Sequence, residues 1–159
     1  MSNILKVILG VIFLSQVPVL NAQNINRSKL EKNVPVIVLE MFNQKFPSYD
    51  AVWFSQYHGR YNEKLVFEGK FVFEKRYSSA VYDNDGNLIA FAATIDKNEL
   101  PDNVIKYMTE KYPSFPIVDA LLVSRSKNND TYEVGIYIDN QYVIEVFSKI
   151  GDFIKSTKP

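Results

Sequence analysis

The fold of this chain is decided by the stretch VPVIVLEMFNQKFPSY at residues 34–49, which has a counterpart in LPDNVIKYMTEKYPSF at residues 100–115. Prolines stand at the same two places in both stretches. Further along, a glycine-containing turn recurs at nearly the same interval, at Gly86 and Gly151. A pattern that recurs at a nearly constant interval indicates a duplicated supersecondary unit.

Each stretch predicts an amphipathic helix. In the first, Pro35 suits the opening turn, because the amide proton that proline lacks would be unpaired there. Val38, Phe42 and Phe46 then recur at helical spacing and form one apolar face. Pro47 disfavours a helical conformation at the preceding residue and ends the helix. The second stretch has the same features in Pro101, Val104, Ile105, Met108, Tyr112 and Pro113.

The segments after each helix predict β-strands, since they are rich in aromatic and β-branched residues and are separated by turn residues. They cover residues 52–57, 65–68, 71–83 and 88–95 in the first half, and 120–126, 131–138, 142–148 and 153–156 in the second. Each unit is therefore a helix followed by about four antiparallel strands. Repeat 1 covers residues 34–99 and repeat 2 covers residues 100–159. Two such units predict an α+β protein with helices on one face of a sheet and the other face open.

Alternation along the strands predicts which side chains lie under the helices. In the first half the inward set is Phe71, Phe73 and Tyr77, which leaves Glu74 and Arg76 on the open face. In the second half the inward set is Tyr132, Val134, Ile136 and Ile138, and the open face carries Glu133, Tyr137 and Glu145.

The first strand can be placed in two ways. We expect Val52 and Phe54 to point inward, which leaves Trp53, Ser55 and Tyr57 outward; the alternative puts Ala51, Trp53, Ser55 and Tyr57 in the core. We predict that the open face is a binding surface, because aromatic and Arg residues carry much of the energy at interfaces. Its predicted residues are Trp53, Tyr57, Glu74, Arg76, Glu133, Tyr137 and Glu145.

Residues 1–22 have the features of a secretory signal peptide, with Lys6, an apolar run and Ala22 before a cleavage site at Gln23. Polar residues and a proline interrupt the apolar run, which argues against the alternative of a permanent membrane anchor. We expect residues 23–33 to be a leader segment. The predicted location is the periplasm or the exterior, with no stable membrane insertion after cleavage.

Composition argues against several classes of function. Lys+Arg 18 balances Asp+Glu 18, so the chain lacks the basic footprint of a nucleic-acid-binding protein. It has no cysteine and a single histidine, His58, so neither a zinc site nor a thiol or Ser-His nucleophile is expected. We predict no catalytic residues, no metal and no cofactor, and therefore a protein that is not an enzyme.

Two acidic patterns have alternative interpretations. Residues 83–87, DNDGN, fit the start of a calcium loop, but Thr94 stands where the loop needs its acidic twelfth ligand. A tight hairpin turn is the favoured interpretation, because Gly86 accepts a positive φ without strain. Pairs such as Glu68 with Glu74, or Glu133 with Glu145, could in principle form a glycosidase-like couple, although charged residues on an open sheet face are usually only solvated.

The order of these motifs resembles a known family. A Val-Pro or Leu-Pro that opens a helix, a Phe-Pro or Tyr-Pro that closes it, Ala51-Val52-Trp53 in the first strand and the hairpin around Gly86 are similar to the exported PepSY-like, β-lactamase-inhibitor-like (BLIP-like) domains of Bacteroidetes-type bacteria. The resemblance runs from Val34 to Lys155. It implies two helix-plus-four-strand repeats that form one curved sheet whose concave face grips a partner.

Two classes of function follow as expectations. The first is an exported, non-enzymatic binding protein that inhibits or modulates a periplasmic or secreted enzyme through the open sheet face. The alternative is a protein that binds a small ligand, peptide or glycan, or has a structural role in the cell envelope. The expected partner is a protein or peptide of the cell envelope, and no nucleic acid is expected to bind.

Overall fold

The computed structural model describes residues 29–30, 33–58, 64–125 and 130–158. The expected signal peptide lies outside these residues. Within them the chain forms two helices and nine strands, which are α1 Val36–Lys45, α2 Asp102–Lys111, β1 Lys29–Leu30, β2 Val52–His58, β3 Lys64–Phe73, β4 Arg76–Asp83, β5 Leu88–Thr94, β6 Asp119–Arg125, β7 Thr131–Ile138, β8 Gln141–Ser148 and β9 Phe153–Thr157. A short 3-10 helix, Lys97–Glu99, precedes α2. Neither described helix has the length and hydropathy that a membrane span needs.

All nine strands belong to one antiparallel sheet, and their order in the sheet follows their order in the chain. The first half contributes α1 and then β2 to β5, and the second contributes α2 and then β6 to β9. The halves meet where β5 pairs with β6. The expected α+β class and open antiparallel sheet are therefore confirmed. The leader differs from expectation in one respect, because β1 adds two of its residues to the sheet edge beside β2.

The helix boundaries follow from the prolines and the residues next to them. Pro35 and Pro101 have φ near −53° and −55° and directly precede the first helical residue, and their carbonyl groups accept the first helical hydrogen bonds. At the other end Phe46 and Tyr112 leave the helical conformation, each immediately before a proline. Both helices thus begin and end where the sequence predicts.

Both helices lie on the same face of the sheet and cover separate apolar clusters. Under α1 the buried residues are Val38, Phe42, Phe46, Trp53, Phe67, Phe71, Ala80 and Tyr82. Under α2 they are Leu100, Val104, Met108, Ala120, Val134, Ile136, Val143 and Phe147. The inward set expected in β7 is confirmed, because Val134 and Ile136 are buried and their alternate neighbours Tyr132 and Ile138 pack against the same cluster.

The predicted strand at residues 71–83 is wrong. Residues 71–83 form the end of β3 and all of β4, joined by a two-residue turn at Glu74 and Lys75. Both turn residues have positive φ, 47° and 66°, the conformation of the tight hairpin turns that match the twist of antiparallel strands. The turn resets the alternation, so Phe71 and Phe73 face α1 as expected, whereas Tyr77 lies on the opposite side and is 39% exposed.

Candidate binding surface on the open face

The open face is the side of the sheet opposite the two helices, and strand register defines it. Side chains alternate along a strand, and directly paired residues of neighbouring strands point to the same side. In β3, Phe71 lies under α1, so Val72 is on the open face. In β7, Ile136 lies under α2, so Tyr137 is on the open face. Each of these open-face residues belongs to the second cross-strand pair from a two-residue hairpin turn.

Exposed apolar side chains gather at one end of this face. Val72 pairs directly with Tyr77, and Val52 lies diagonally across from Val72 because its own partner on β3 is Lys70. Diagonal neighbours of this kind are about 7–8 Å apart. Val52 is 55% exposed, Val72 48% and Tyr77 39%. We call these three residues the apolar corner. A contiguous exposed patch of large apolar side chains marks an interaction site more often than single exposed residues do.

Two tyrosines occupy the corresponding place beside the β7–β8 turn. Tyr137 pairs with Tyr142, and their ring centroids are 5.3 Å apart. The Tyr142 hydroxyl crosses β7 and donates a hydrogen bond of 2.8 Å to Asp119 Oδ2 on β6. This path exists because residue 135 is glycine, since a Cβ there would overlap the Tyr142 hydroxyl. Burial first, and then the Asp119 carboxylate, raise the pKa of Tyr142, which keeps its hydroxyl a donor.

Polar side chains fill the open face next to the apolar corner. Gln56 Nε2 donates to Glu68 Oε2 at 2.8 Å, and Lys70 Nζ is 3.7 Å from the same oxygen. The Lys70 ammonium also lies 4.8 Å from the ring centroid of Phe54. Such cation–π contacts at exposed sites contribute about 0.5–1 kcal/mol. The Lys70 ammonium group beside the apolar corner is therefore held in a defined position.

A second charged group lies on the open face of β6 and β7. Arg125 donates to Glu133 Oε1 and to Thr131 Oγ1, both at 2.7 Å. The predicted position of Glu133 on this face agrees with its direct pairing to Val146 and Leu121. Paired surface charges of this kind set orientation and association rate more than affinity.

The open face presents apolar, aromatic and charged groups, and its described carboxylates are engaged by their neighbours. Its carboxylates, Glu68, Glu133 and Asp119, are each held by a neighbouring amide, guanidinium or hydroxyl group. Within residues 29–30, 33–58, 64–125 and 130–158, no group of three or more His, Cys, Asp or Glu residues is arranged to hold a metal. In the hairpin at residues 83–87, Asp83 is engaged by the turn itself and accepts hydrogen bonds from Asp85 and Asn87.

Trp53 does not lie on the open face, which corrects its predicted position. It is 9% exposed, contacts Phe42 edge-on at 5.3 Å and belongs to the cluster under α1. The indole fits there because Gly69, its partner on β3, has no side chain: a Cβ at residue 69 would lie 3.0 Å from the ring. The expected inward positions of Val52 and Phe54 are wrong as well, because alternation puts both on the side opposite Trp53. The alternative placement of Trp53 in the core is the one observed.

Glu74 and Arg76 are not on the open face either. Glu74 is an exposed residue of the β3–β4 turn. Arg76 pairs with Phe73 on the helix side and donates to Glu99 Oε1 at 2.9 Å. A backbone hydrogen bond from Asp96, and then the bond from Arg76, lower the pKa of Glu99. Arg76 thus fixes the 3-10 helix that leads into α2.

Glu145 is the largest correction among the predicted site residues. Instead of lying on the open face it is completely buried, with 0% exposure, because its partner on β7 is Val134 under α2. Tyr112 and Ser156 donate hydrogen bonds to its Oε1 atom. The remaining predicted residue, Tyr57, lies in β2, but its side chain is outside the described part of the chain.

Several residues of the open face were not predicted from the sequence. Tyr77 was missed because the two-residue turn at Glu74 and Lys75 carries none of the usual Asn, Asp or Gly signals. Val52 was missed because its position depends on the burial of Trp53 over Gly69. Val72 lies between the inward residues Phe71 and Phe73 and was not named among the predicted binding residues. The sequence did contain a signal for Tyr142. Gly135 stands in the middle of a predicted strand, where a glycine often marks the close approach of another group, and Tyr142 lies in the next strand.

Solved structures show a similar fold. A DUF2874 family protein from Bacteroides uniformis is 15% identical, with a TM-score of 0.64 over 78% of this chain and 88% of that one. A provisionally periplasmic protein from Bacteroides eggerthii is 11% identical, with a TM-score of 0.66 over 79% and 89%. A BLIP-like protein from Bacteroides fragilis is 14% identical, with a TM-score of 0.61 over 80% and 88%.

Sequence comparison adds no relative to these. No protein-family model matches the chain, and no curated protein matches it. At such low identity the structural likeness bears on fold alone. The chain therefore has the fold of DUF2874 and BLIP-like proteins, an open antiparallel sheet with two helices on one face.

Proposed function

We propose that this chain is an exported, non-enzymatic binding protein built from two tandem copies of one PepSY-like unit. Its open face engages a protein or peptide of the cell envelope, and an exported enzyme is the class of partner that it inhibits or modulates. The observation that carries the proposal is the apolar corner: Val52, Val72 and Tyr77 are exposed together on a face that neither helix covers.

The composition of the face supports a macromolecular partner. Interfaces combine a few large apolar or aromatic anchors with a polar rim. Here the anchors are the apolar corner and the pair Tyr137 and Tyr142, and the rim is formed by held charges such as Lys70 and Arg125. The two anchor groups lie in different halves of one continuous sheet. A partner that touches both would span the β5–β6 junction.

Binding energy should concentrate in the anchors. Once a partner has been captured by cross-linking in envelope extract, alanine variants at Tyr77 and Tyr137 can be tested for its binding by calorimetry. We expect at least one to lose more than about 2 kcal/mol of binding free energy with its unfolding midpoint unchanged. The matched control is Ile150→Ala, which removes a 73% exposed apolar side chain from the β8–β9 turn and should leave binding intact.

Two outcomes would contradict the proposed surface. Normal binding by Tyr77→Ala and Tyr137→Ala would show that the partner uses another face. Loss of binding that always accompanies loss of folding would show that the two tyrosines act through stability. Capture of only a glycan or small molecule at these residues would favour the alternative function.

Export has its own test. The proposal requires cleavage after Ala22, so mass spectrometry of the protein from its native host should find an N-terminus at or near Gln23. Intact Met1 in a membrane fraction would contradict it.

A further inference from the structure

The C-terminal turn of α2 holds a second group of interacting side chains, on the side of the sheet away from the open face. Lys111 ends the helix, and its ammonium nitrogen lies 5.0 Å from the ring centroid of Tyr107, 5.1 Å from that of Tyr112 and 4.9 Å from that of Phe153. Tyr107 and Phe153 stack with centroids 4.9 Å apart. Three rings around one ammonium group form an aromatic cage, the arrangement by which proteins recognise alkylammonium ligands.

A buried carboxylate completes the cage. Glu145 Oε2 lies 3.7 Å from the Lys111 nitrogen, and no described residue donates a hydrogen bond to it. Its other oxygen already accepts from Tyr112 and Ser156. A fully buried carboxylate is costly unless charges and donors compensate it. Lys111 supplies the compensating charge from beyond hydrogen-bond distance, so Oε2 has an ion-pair partner but no described hydrogen-bond donor.

The Lys111 side chain, which occupies the cage, is able to swing out of it. The Lys111 side chain is 42% exposed, and Phe153 is 42% exposed, so one wall of the cage borders solvent. Lysine has a long, flexible stem, and its ammonium group is readily hydrated once it swings outward. On leaving, it would give up the hydrogen bond of 2.6 Å that it donates to the Tyr107 hydroxyl, its three ring contacts and its ion pair with Glu145. The charge of the incoming ligand would replace that ion pair.

The corresponding place in the first half is apolar. Lys45 also ends its helix and stands before an aromatic residue and a proline, but Phe46 packs there against Phe91, with ring centroids 5.4 Å apart. A plain apolar contact is therefore sufficient to seat a helix end on this sheet. The buried charge under α2 is not explained by the needs of packing.

We propose that Tyr107, Tyr112, Phe153 and Glu145 Oε2 form a binding site for an alkylammonium group, which Lys111 occupies in the unbound protein and yields to the ammonium group of a ligand. The ligand class is a primary or methylated alkylammonium ion, whose charge is recognised by the rings and the carboxylate together. The site is independent of the open face and of any partner bound there.

The test uses the full mature chain and tetramethylammonium chloride as the probe, with sodium chloride matching ionic strength and tert-butanol as a neutral compound of similar shape. In Lys111→Ala the cage is emptied, and the probe should bind saturably, shift the ring resonances of Phe153 and Tyr107 and raise the urea midpoint. Lys45→Ala is the matched control and should gain no such site. In the wild-type chain the same resonances should shift at higher probe concentration, because Lys111 competes.

The walls of the cage give a second measurement that keeps Lys111 in place. Phe153→Ala removes a partly exposed ring, and it should weaken binding of the probe about fivefold relative to the chain with Phe153. This comparison holds even if Lys111→Ala does not fold. A response to tert-butanol equal to that of the probe would overturn the cation site. If the cage resonances of the wild-type chain respond at no probe concentration, the proposed exchange of Lys111 for a ligand is wrong.

Discussion

At the scale of single residues, Gly135 decides where Tyr142 lies. The Tyr142 ring passes over the backbone at Gly135 to reach Asp119, so any Cβ at residue 135 would collide with its hydroxyl. We expect Gly135→Ala to destabilise the protein by about 1–3 kcal/mol, the usual cost of overpacking. Urea denaturation measures the change in unfolding free energy.

The partner of Gly135 supplies the control for this prediction. In a Tyr142→Ala background the obstacle is gone, so the same Gly135→Ala change should cost much less. Tyr142→Phe alone should lose only the hydrogen bond to the Asp119 carboxylate, about 1.5–3 kcal/mol, the range for hydrogen bonds to charged groups. An equal cost of Gly135→Ala in both backgrounds would show that the glycine serves the backbone and not the tyrosine.

Asp83 gives a prediction about pH. Burial alone would raise the pKa of Asp83, but hydrogen bonds from Asn87 and Asp85 outweigh it, and the pKa is lowered overall. A carboxyl group whose folded-state pKa is depressed contributes stability above its unfolded value of about 4 and loses it as the pH falls through the folded value. The wild-type chain should therefore lose more stability than Asp83→Asn as the pH falls from 5 to 2.

Urea midpoints of the two proteins at several pH values check this expectation. The gap between wild type and Asp83→Asn should narrow steadily as the solution becomes more acidic. A gap that is constant over this range would mean that the Asp83 charge has no role in the hairpin.

At the scale of elements, each helix packs on the sheet around a central buried residue. Phe42 is 2% exposed and contacts Trp53 and Phe71 with ring centroids 5.3 and 5.0 Å away, and Met108 is 3% exposed in the cluster under α2. Phe42→Ala and Met108→Ala should each lower the unfolding free energy by about 2–5 kcal/mol. Denaturant titration of both variants measures it.

Exposed positions on the same helices are the controls. Asn43→Ala in α1 and Glu110→Ala in α2 should change stability by less than about 0.5 kcal/mol. Losses below about 0.5 kcal/mol at both Phe42 and Met108 would contradict the packing of the helices on the sheet.

At the scale of the whole molecule, two apolar clusters share one sheet. The clusters under α1 and α2 have no residue in common, and the backbone pairing of Ala90–Thr94 with residues 121–125 joins them. Because that junction lies in the middle of a continuous sheet, we expect the halves to unfold together, as small single domains do.

Trp53 makes this testable, since it is the one tryptophan of the chain and lies in the cluster under α1. Met108→Ala weakens the other cluster, yet it should move the Trp53 fluorescence transition in urea as far as it moves the far-ultraviolet circular dichroism transition. A Trp53 transition that stays at the wild-type midpoint would show that the halves unfold independently.

The local elements of this protein follow from residues that are close together in the chain. A proline restricts its own φ and the conformation of the residue before it, so its effect does not depend on tertiary packing. The helix ends are therefore marked in the sequence by Pro35, Pro47, Pro101 and Pro113. The apolar stripes that contain Phe42 and Met108 follow from helical periodicity alone. The hairpin around Gly86 is equally local, because Gly86 has a φ of 82°, a conformation that glycine adopts without strain.

Which face of each strand is covered depends on contacts between distant parts of the chain. Alternation relates neighbours within a strand but does not say which set faces the helices, and a single short turn, Glu74-Lys75, exchanged the two sets in β4. Trp53 is buried because Gly69 on another strand makes room for it. Glu145 is buried because it pairs with Val134 under α2, and Tyr112, 33 residues earlier in the chain, donates a hydrogen bond to it there. Contacts between residues so distant in sequence exist only after folding, and they decide where the candidate binding surface lies.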